Sequence, residues 1–443
     1  MLDPQTQREF ALDVVQQLRA QGYQALWAGG CVRDQILGRT PTDYDVATNA
    51  RPEEVRELFG QRRTIPLGAA FGVIVVLGPT KSAGQIEVAT FRQDAAYGDG
   101  RRPDMVMFST PQADAQRRDF TINGLFFDPV ADEVIDYVGG KEDLRHRVVR
   151  SIGNPAERFA EDKLRMLRAV RFAAMFDFSL DAATKAAVQA MAGEINVVSA
   201  ERIAAEMRLM FVHPSRARAL SLLAETGLLA VVLPEVSPRT VDDWNAMLHE
   251  LAALGKGLCS SPAGDAGAHS PRSPGGRGAG DEGSALPNII TFPLAIGVLL
   301  QHFVDHHGAR AIGGRWKLSN KEIDRVVWLV KHQRALCEAA RQPWPRLQRL
   351  LIQDGIQELL AMHEAIHPNP AEDVRFCRGK LALPTAELDP PPLITGDDLA
   401  ADGIPPGRAY QRLLEAVRDA QLNGQVSNAT DALALAKQLW QNA

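Results

Sequence analysis

Apolar and polar residues follow two different patterns along this chain. The change from one pattern to the other divides the chain into a part with strands and helices and a part with helices only. Residues 4–21 repeat apolar positions at helical spacing, which predicts a helix with one buried face. That face is formed by Phe10, Ala11, Val14, Val15 and Leu18. Short apolar or β-branched runs follow and predict strands at 25–28, 44–47, 71–77, 85–91 and 125–127. Helical patterns between them, at 31–37 and 52–59, complete a small mixed sheet flanked by helices.

Beyond Gly139-Gly140 the apolar spacing is near 3.6 residues as far as about residue 255, which indicates helices only. A tract rich in Gly, Ser and Pro then interrupts the pattern, and this composition predicts a flexible insert. We therefore expect an α+β protein in which a mixed-sheet head precedes an all-α remainder. The predicted boundaries are 1–140 for the head, 141–256 for a helical neck, 257–287 for the insert and 288–443 for a helical C-terminal region.

Composition limits the classes of protein to which the chain can belong but does not indicate a function. A chain of 443 residues with 45% hydrophobic and 23% charged residues suits a soluble protein of several domains. No apolar run approaches the roughly 18 residues that a membrane span needs, and the acidic, amphipathic N-terminus is unlike a signal peptide. The four cysteines (Cys31, Cys259, Cys337, Cys377) are scattered and form no CxxC pair, so their spacing indicates neither a disulfide framework nor a zinc site. Reduced thiols in a cytoplasmic protein are the expectation.

The net charge of −5 argues mildly against a nucleic-acid partner. Phosphate binding depends on local charge, however, and residues 141–218 hold 14 Lys and Arg against 10 Asp and Glu. Basic residues are thus concentrated directly after the predicted head.

The stretch from Trp27 to Thr48 combines two features that phosphate chemistry needs. Gly29 and Gly30 follow a predicted strand and precede a helix, where free N–H groups and the helix dipole attract anions. Asp43 and Asp45, two residues apart on an extended segment, can point the same way and share divalent ions. Either pair alone is usually a turn or a solvated loop. Together and in this order, they favour metal-assisted nucleotidyl transfer.

Three further groups extend this interpretation. Arg117, Arg118, Asp119 and Asn123 lie together before a predicted strand, where an isolated example would be a capped turn with solvated arginines. Glu87 alternates with apolar neighbours on its strand, and is either a solvent-facing residue or a third acidic ligand beside the aspartates.

The third group lies on a predicted helix over residues 161–172. At about 100° per residue its polar half collects Asp162, Arg165, Arg168 and Arg171. Surface salt bridges explain such a helix equally well. A carboxylate beside arginines can, however, accept from the exocyclic amine of cytosine or adenine while an arginine donates to a ring acceptor.

Taken jointly, residues 24–215 resemble the class II tRNA nucleotidyltransferases and bacterial poly(A) polymerases of the DNA polymerase beta-like superfamily. The resemblance implies a polymerase beta-like head followed by an all-α neck, body and tail. It implies that Asp43 and Asp45, with Glu87 as a further candidate, hold Mg²⁺ for catalysis. Gly29, Gly30, Arg33 and Arg118 would bind the triphosphate of CTP or ATP.

By the same resemblance, Asp119 and Asn123 organise the ribose and the turn. Asp162 and Arg165 would read the base, while Arg168 and Arg171 would support them or meet phosphates. The segment that begins at Ser199 resembles a further family motif with a scaffolding role, and it lacks the acidic residue of a capping box.

The resemblance leaves several activities open. The loop 97–104 resembles the flexible loop of enzymes that add the terminal A of CCA to tRNA, and Lys163 stands where poly(A) polymerases often carry Pro. We therefore expect CCA addition to tRNA, with A-only addition, poly(A) addition or an inactive RNA-binding protein as alternatives. Retention of Asp43, Asp45 and Asp162 argues against the inactive form.

Residues 291–333 resemble the helical HD domain of some relatives, but the His-Asp pair of that domain is lost at 300–303. A degenerate, structural HD-like region is expected, and this loss argues against a phosphohydrolase. His302, His306 and His307 remain as weak metal-ligand candidates.

Overall fold

A computed structural model of the chain describes residues 2–68, 72–94, 106–255, 290–367 and 369–441. These residues form two compact units. The first contains the described residues up to 252 together with residues 314–318, and the second contains the described residues of 253–255, 290–313 and 319–441. The division into four segments therefore stays a prediction. The predicted insert and the loop 97–104 lie outside the described residues.

A seven-stranded mixed sheet forms the centre of the head, as the apolar pattern predicts. Its strands are β1 (Ala25–Ala28), β2 (Asp45–Thr48), β3 (Thr64–Gly68), β4 (Val73–Leu77), β5 (Gln85–Thr90), β8 (Leu125–Asp128) and β9 (Glu133–Asp136). Their order is β3-β4-β5-β2-β1-β8-β9, and only the β2–β5 pair in this sheet is parallel. The short strands β6 (Arg92–Asp94) and β7 (Val106–Phe108) pair separately, as do β10 (Val148–Val149) and β11 (Ser179–Leu180).

Two strands of this sheet were absent from the prediction, and both lie at its edges; the short strands β6, β7, β10 and β11 were not predicted either. Strand β3 contains Pro66, which cannot donate to a neighbouring strand and is tolerated at an edge. Strand β9 is only partly buried, so its sequence lacks the apolar run that marks a central strand. The predicted central strands are all present, with bounds that shift by no more than two residues.

Helices cover the sheet and make up the rest of the first unit. They are α1 (Pro4–Ala20), α2 (Gly30–Ile36), α3 (Pro52–Phe59), α4 (Pro111–Arg117), α5 (Gly140–His146), α6 (Pro155–Glu161), α7 (Leu164–Phe176), α8 (Ala182–Met191), α9 (Ala200–Val212), α10 (Arg216–Glu225), α11 (Leu228–Val232) and α12 (Val241–Ala253). The predicted apolar face of α1 is buried. Ser199 precedes α9 and makes no side-chain cap, which agrees with the missing capping box.

The prediction of one continuous helix through Asp162 was wrong. Helix α6 ends at Glu161 and α7 begins at Leu164, so that Asp162 lies between them in an extended conformation (φ −148°, ψ 104°). The Asp162 carboxylate accepts a hydrogen bond from the Leu164 N–H at 3.1 Å. Local bonds of this kind compete with helical hydrogen bonds, and the periodicity of the sequence does not reveal them.

The second unit is helical, as expected. The remaining helices are α13 (Phe292–Leu300), α14 (His306–Arg315), α15 (Asn320–His332), α16 (Trp344–Leu351), α17 (Ile356–Ile366), α18 (Ala371–Leu381), α19 (Thr385–Leu388), α20 (Gly396–Ala401), α21 (Ala409–Leu422) and α22 (Ala429–Gln441). One apolar core joins α20, α21 and α22 through Leu399, Leu413 and Ala432. Among the described helices, none combines the length and the apolar character that crossing a membrane requires.

Candidate active site

Three carboxylates interact through their charges at the start of the only parallel strand pair of the main sheet. Asp45 opens β2, and its register partner on β5 is Glu87. Paired residues of parallel strands point to the same face, and Asp43, two residues before Asp45, shares that face in extended chain. All three side chains are exposed. The register thus favours Glu87 as a third acidic group over an unrelated surface residue.

The charge of Asp45 reflects this crowding. Although the side chain keeps access to solvent, desolvation by the surrounding protein and then the Glu87 carboxylate raise its pKa to about 7. Asp43 contributes in the same direction, while Arg118 opposes it. Carboxylate oxygens are the ligands that Mg²⁺ prefers, and a cation placed among them would relieve their repulsion. The donor set therefore fits a divalent metal ion.

Arg118 is held beside these carboxylates by a residue that the sequence interpretation did not assign. Asp114 on α4 is buried and accepts two bonds from Arg118, from Nε at 3.2 Å and from Nη2 at 3.0 Å. It also pairs with Arg117 at 2.7 Å. Burial would raise the pKa of Asp114, but the two guanidiniums outweigh it and lower the pKa. Helical i, i+4 spacing between residues 114 and 118 was the available signal.

Gly29 leaves the space that the Arg118 side chain occupies. A Cβ at residue 29 would lie 2.8 Å from Arg118 Nη1, and the backbone there has a positive φ of 71°. Glycine accepts this conformation at little cost, and other residues rarely do. A Cβ at the neighbouring Gly30 would find its nearest atom 3.7 Å away, an ordinary contact.

We expect Gly29→Ala to lower the efficiency of nucleotide incorporation by about tenfold. The added methyl group should displace the Arg118 guanidinium, and a charge-assisted hydrogen bond from such a donor to phosphate contributes about 1.5–3 kcal/mol. The backbone strain should also lower the free energy of unfolding by about 1 kcal/mol. Steady-state kinetics with varied nucleotide and urea unfolding measure the two effects. Gly30→Ala is the matched comparison and should lose much less of either. Equal losses in both variants would contradict the steric argument.

A continuous set of polar contacts runs from α2 to α7. Arg33 Nη1 donates to Asn123 Oδ1 at 2.6 Å, and Asn123 Nδ2 donates to Asp119 Oδ1 at 3.1 Å. Arg168 on α7 donates to the other oxygen of Asp119 from Nε at 2.9 Å and Nη2 at 2.6 Å. The Arg33 guanidinium also lies over the Phe176 ring, 4.3 Å from its centre. Residues predicted from three separate motifs are therefore in direct contact.

The hydrogen bonds from Asn123 and Arg168 keep the Asp119 carboxylate ionised. Burial alone would raise its pKa, but the Arg168 guanidinium, the Asn123 amide and the Phe120 N–H outweigh that effect and lower the pKa to about 2. A carboxylate whose pKa lies below its unfolded value stabilises the fold when the pH is above that value.

We expect Asp119→Asn to lower the free energy of unfolding by about 2 kcal/mol at neutral pH. Because the folded pKa lies below the ordinary 3.8, the difference from wild type should be full above about pH 5 and shrink as the pH falls towards 2. Chemical unfolding across this pH range measures it. Asp128→Asn, which breaks the more exposed pair with Arg19, should cost less than about 1 kcal/mol. A pH-independent difference would contradict this account.

Asp162 and Arg165 are both near the head, but each is bound to a different partner. Arg202 on α9 donates to Asp162 at 2.8 Å. Arg165 donates to the Glu161 carboxylate at 2.7 Å and to the Arg158 carbonyl at 3.0 Å. Each of the two side chains therefore forms its ion pair with a different residue.

Arg171 is buried against Glu206 of α9, which accepts from Arg171 Nε at 2.6 Å and lies 3.7 Å from Arg168. Burial lowers the pKa of Arg171 although Glu206 opposes this shift. Both arginines are thus paired with carboxylates, which suits support of the site better than direct phosphate contact. Arg202 and Glu206 lie in the segment after Ser199 for which the resemblance implied a scaffolding role, although neither residue was singled out within it.

Asp45 and Glu87 on a parallel strand pair, with Asp43 beside them, a helix that begins after Gly29 and the adjacent Arg118, place the protein among the nucleotidyltransferases of the polymerase beta-like class. Family models agree with this class: the poly A polymerase head domain matches residues 25–150, and the probable RNA and SrmB-binding site of polymerase A matches residues 177–239. The chain is 33% identical over 438 residues to the CCA-adding enzyme of Geobacillus stearothermophilus, which covers 96% of this chain and 95% of that enzyme. The chain belongs to the CCA-adding enzyme family.

Two further relatives agree. The CCA-adding enzyme of Anoxybacillus flavithermus is 41% identical over 230 residues, an alignment that covers 52% of this chain and 56% of that enzyme. A crystal structure of the Bacillus stearothermophilus CCA-adding enzyme in complex with CTP superposes with a TM-score of 0.74 at 28% identity, covering 100% of this chain and 99% of that one. The predicted fold class is confirmed, as is the prediction that the protein is an enzyme.

Proposed function

We propose that this protein adds C, C and A to the 3′ end of tRNA, using CTP and ATP and no nucleic-acid template. The observation that carries the proposal is the convergence of Asp43, Asp45 and Glu87 beside Arg118. Nucleotidyl transfer needs bound metal where the attacking hydroxyl meets the triphosphate, and cationic side chains where negative charge develops. The near full-length relationship to a CCA-adding enzyme supports tRNA as the acceptor.

The acidic residues would hold two Mg²⁺ ions, with Asp43 and Asp45 as the principal ligands and Glu87 as a further one. Bound there, divalent ions activate the RNA 3′-hydroxyl and stabilise the pyrophosphate leaving group. Arg118, fixed by Asp114, neutralises the triphosphate, and Gly29 and Gly30 let the backbone approach it closely. Arg33 is oriented by Asn123, which in turn is oriented by Asp119.

Base selection belongs to Asp162 and Arg165. The Asp162 carboxylate accepts from the exocyclic amine of cytosine or adenine, and Arg165 donates to a ring acceptor of the same base. Uracil and guanine present a carbonyl oxygen in place of that amine, which leaves the carboxylate without a donor. Arg202 and Glu161 hold the pair in position, and Arg168 and Arg171 tie α7 to Asp119 and Glu206.

The decisive experiment uses three tRNA transcripts that end at the discriminator base, at C and at CC. Each is incubated with CTP, with ATP and with both nucleotides, in the presence of Mg²⁺. Full CCA addition appears as growth by C, C and A followed by arrest. Growth of the CC transcript alone, with ATP, would instead identify an A-only enzyme. Long A tails on unrelated RNA would identify a poly(A) polymerase, and no growth under any condition would overturn the proposal.

A further inference from the structure

Three side chains with metal-binding atoms come together in the second unit, outside the residues assigned above to nucleotidyl transfer. Cys337, His363 and His367 each place one such atom within 4.8 Å of the others. In the described ranges this is the one group of three or more His, Cys, Asp or Glu residues with that geometry, and His302, His306 and His307 do not form another. The cysteine spacing gave no sign of it because the fold brings together residues that are 26 and 30 positions apart in sequence.

The two histidines owe their proximity to a helix. His363 lies in α17 and His367 caps its C-terminal end, so the four-residue spacing places both rings on one side, with ring centres 4.2 Å apart. The Cys337 Sγ atom lies 3.6 Å from His367 Nε2. Sulfur and nitrogen bound tetrahedrally to one Zn²⁺ ion, at about 2.3 and 2.0 Å, lie roughly 3.5 Å apart. This pair is therefore already at ligand spacing.

Asp373 is not a member of that three-residue group, but its carboxylate adjoins His363 and is the donor that we assign to the fourth position. Its Oδ2 atom lies 3.4 Å from His363 Nε2, close to the roughly 3.3 Å expected between nitrogen and oxygen ligands of one tetrahedral ion. The carboxylate is held by backbone N–H groups of Glu338 at 3.2 Å and Ala339 at 2.8 Å. A ligand oriented by hydrogen bonds in this way is typical of built metal sites.

The His363 ring is buried and poorly satisfied. Its side chain is only 1% exposed, Nδ1 has no hydrogen-bond partner, and Nε2 has no hydrogen bond beyond the 3.4 Å ionic contact with Asp373. Buried polar atoms that lack good partners are costly and uncommon in native proteins. A metal ion bound by this ring and its three neighbours satisfies it.

We infer that Cys337, His363, His367 and Asp373 form a structural Zn²⁺ site. One thiolate, two imidazoles and one carboxylate are a donor set that suits zinc, and four protein ligands leave no open position for catalysis. Binding replaces the S–H bond of Cys337 with a sulfur–zinc bond and releases the proton to solvent. The ion would fasten the segment around Cys337 to the end of α17 and the start of α18.

Cobalt titration of the full-length protein tests this directly. The protein is stripped of metal with a chelator and kept in excess Mg²⁺, so that the catalytic carboxylates are already filled. We expect one equivalent of Co²⁺ to produce tetrahedral d–d bands together with sulfur-to-cobalt charge-transfer absorption, and Zn²⁺ to abolish both. Absence of the charge-transfer band from the folded wild-type protein would overturn the inference, whatever the variants do.

Paired serine variants assign the thiol. Cys337→Ser should remove the charge-transfer band and weaken Zn²⁺ binding by about tenfold or more, and it should also remove the increase in melting temperature that Zn²⁺ gives the wild type. Cys377→Ser is the matched control, since Cys377 is a buried thiol four residues after Asp373 and outside the cluster. It should retain the band. Loss of the band in Cys377→Ser with retention in Cys337→Ser would contradict the assignment, and circular dichroism confirms that each variant is folded.

Discussion

Replacing Asp43 with alanine should abolish nucleotide incorporation while tRNA binding stays nearly unchanged. The substitution removes a carboxylate ligand at the point where Asp45 and Glu87 already crowd together. Losing about 4 kcal/mol of transition-state stabilisation corresponds to roughly a thousandfold slower reaction. Single-turnover incorporation of CTP into a tRNA transcript measures the rate, and a filter-binding or gel-shift titration measures affinity.

A matched control for this variant is Asp13→Ala, which removes an exposed carboxylate of the same unit on α1. It should incorporate nucleotides at the wild-type rate. Retained incorporation by Asp43→Ala would refute the proposed metal site. A parallel loss of tRNA affinity would show instead that the variant had damaged the fold or the RNA surface.

The second large effect is expected at Asp162, where a substitution should change which nucleotides are selected as well as the rate at which they are added. Asp162→Ala removes the acceptor for the exocyclic amine of cytosine and adenine, and a charge-assisted hydrogen bond of this kind is worth about 1.5–3 kcal/mol. We therefore expect kcat/KM for CTP and ATP to fall about tenfold to a hundredfold, with little change for UTP and GTP. Competition between nucleotides on transcripts ending at the discriminator and at CC measures this selectivity.

Glu157→Gln provides the comparison for Asp162→Ala, because it neutralises an exposed carboxylate on the adjacent helix α6. It should keep the preference for C and A. If Asp162→Ala lowered the efficiency of all four nucleotides equally, Asp162 would be a structural partner of Arg202 and not a base-reading residue.

The sequence predicted most of the head because its central strands are marked by apolar runs and its glycines and acidic pairs lie close together in the chain. Asp43 and Asp45 are only two residues apart in sequence, so the two-residue period of extended chain sufficed to align them. Glu87 was left open because strand register, which brings it beside Asp45, is a property of pairing between distant segments.

The residues that the sequence did not reveal are partners whose role depends on tertiary contact. Asp114 and Glu206 are buried carboxylates that hold Arg118 and Arg171, yet in sequence each is one acidic residue on an amphipathic helix. The break at Asp162 was missed because a single hydrogen bond to the Leu164 N–H decides it. Such bonds compete locally with a helix without changing its apolar period.

The contacts that link Arg33, Asn123, Asp119 and Arg168 also limit how this protein can be recombined with its relatives. A chimera whose junction falls between the sheet and α7 would take the two ends of this linkage from different parents. Any mismatch would leave the partly buried Asp119 or Arg168 without its charged counterpart, and a charge withdrawn from water without a partner is destabilising. Exchanging nucleotide preference between two homologues should therefore succeed only when residues 119, 123 and 168 all come from the same parent.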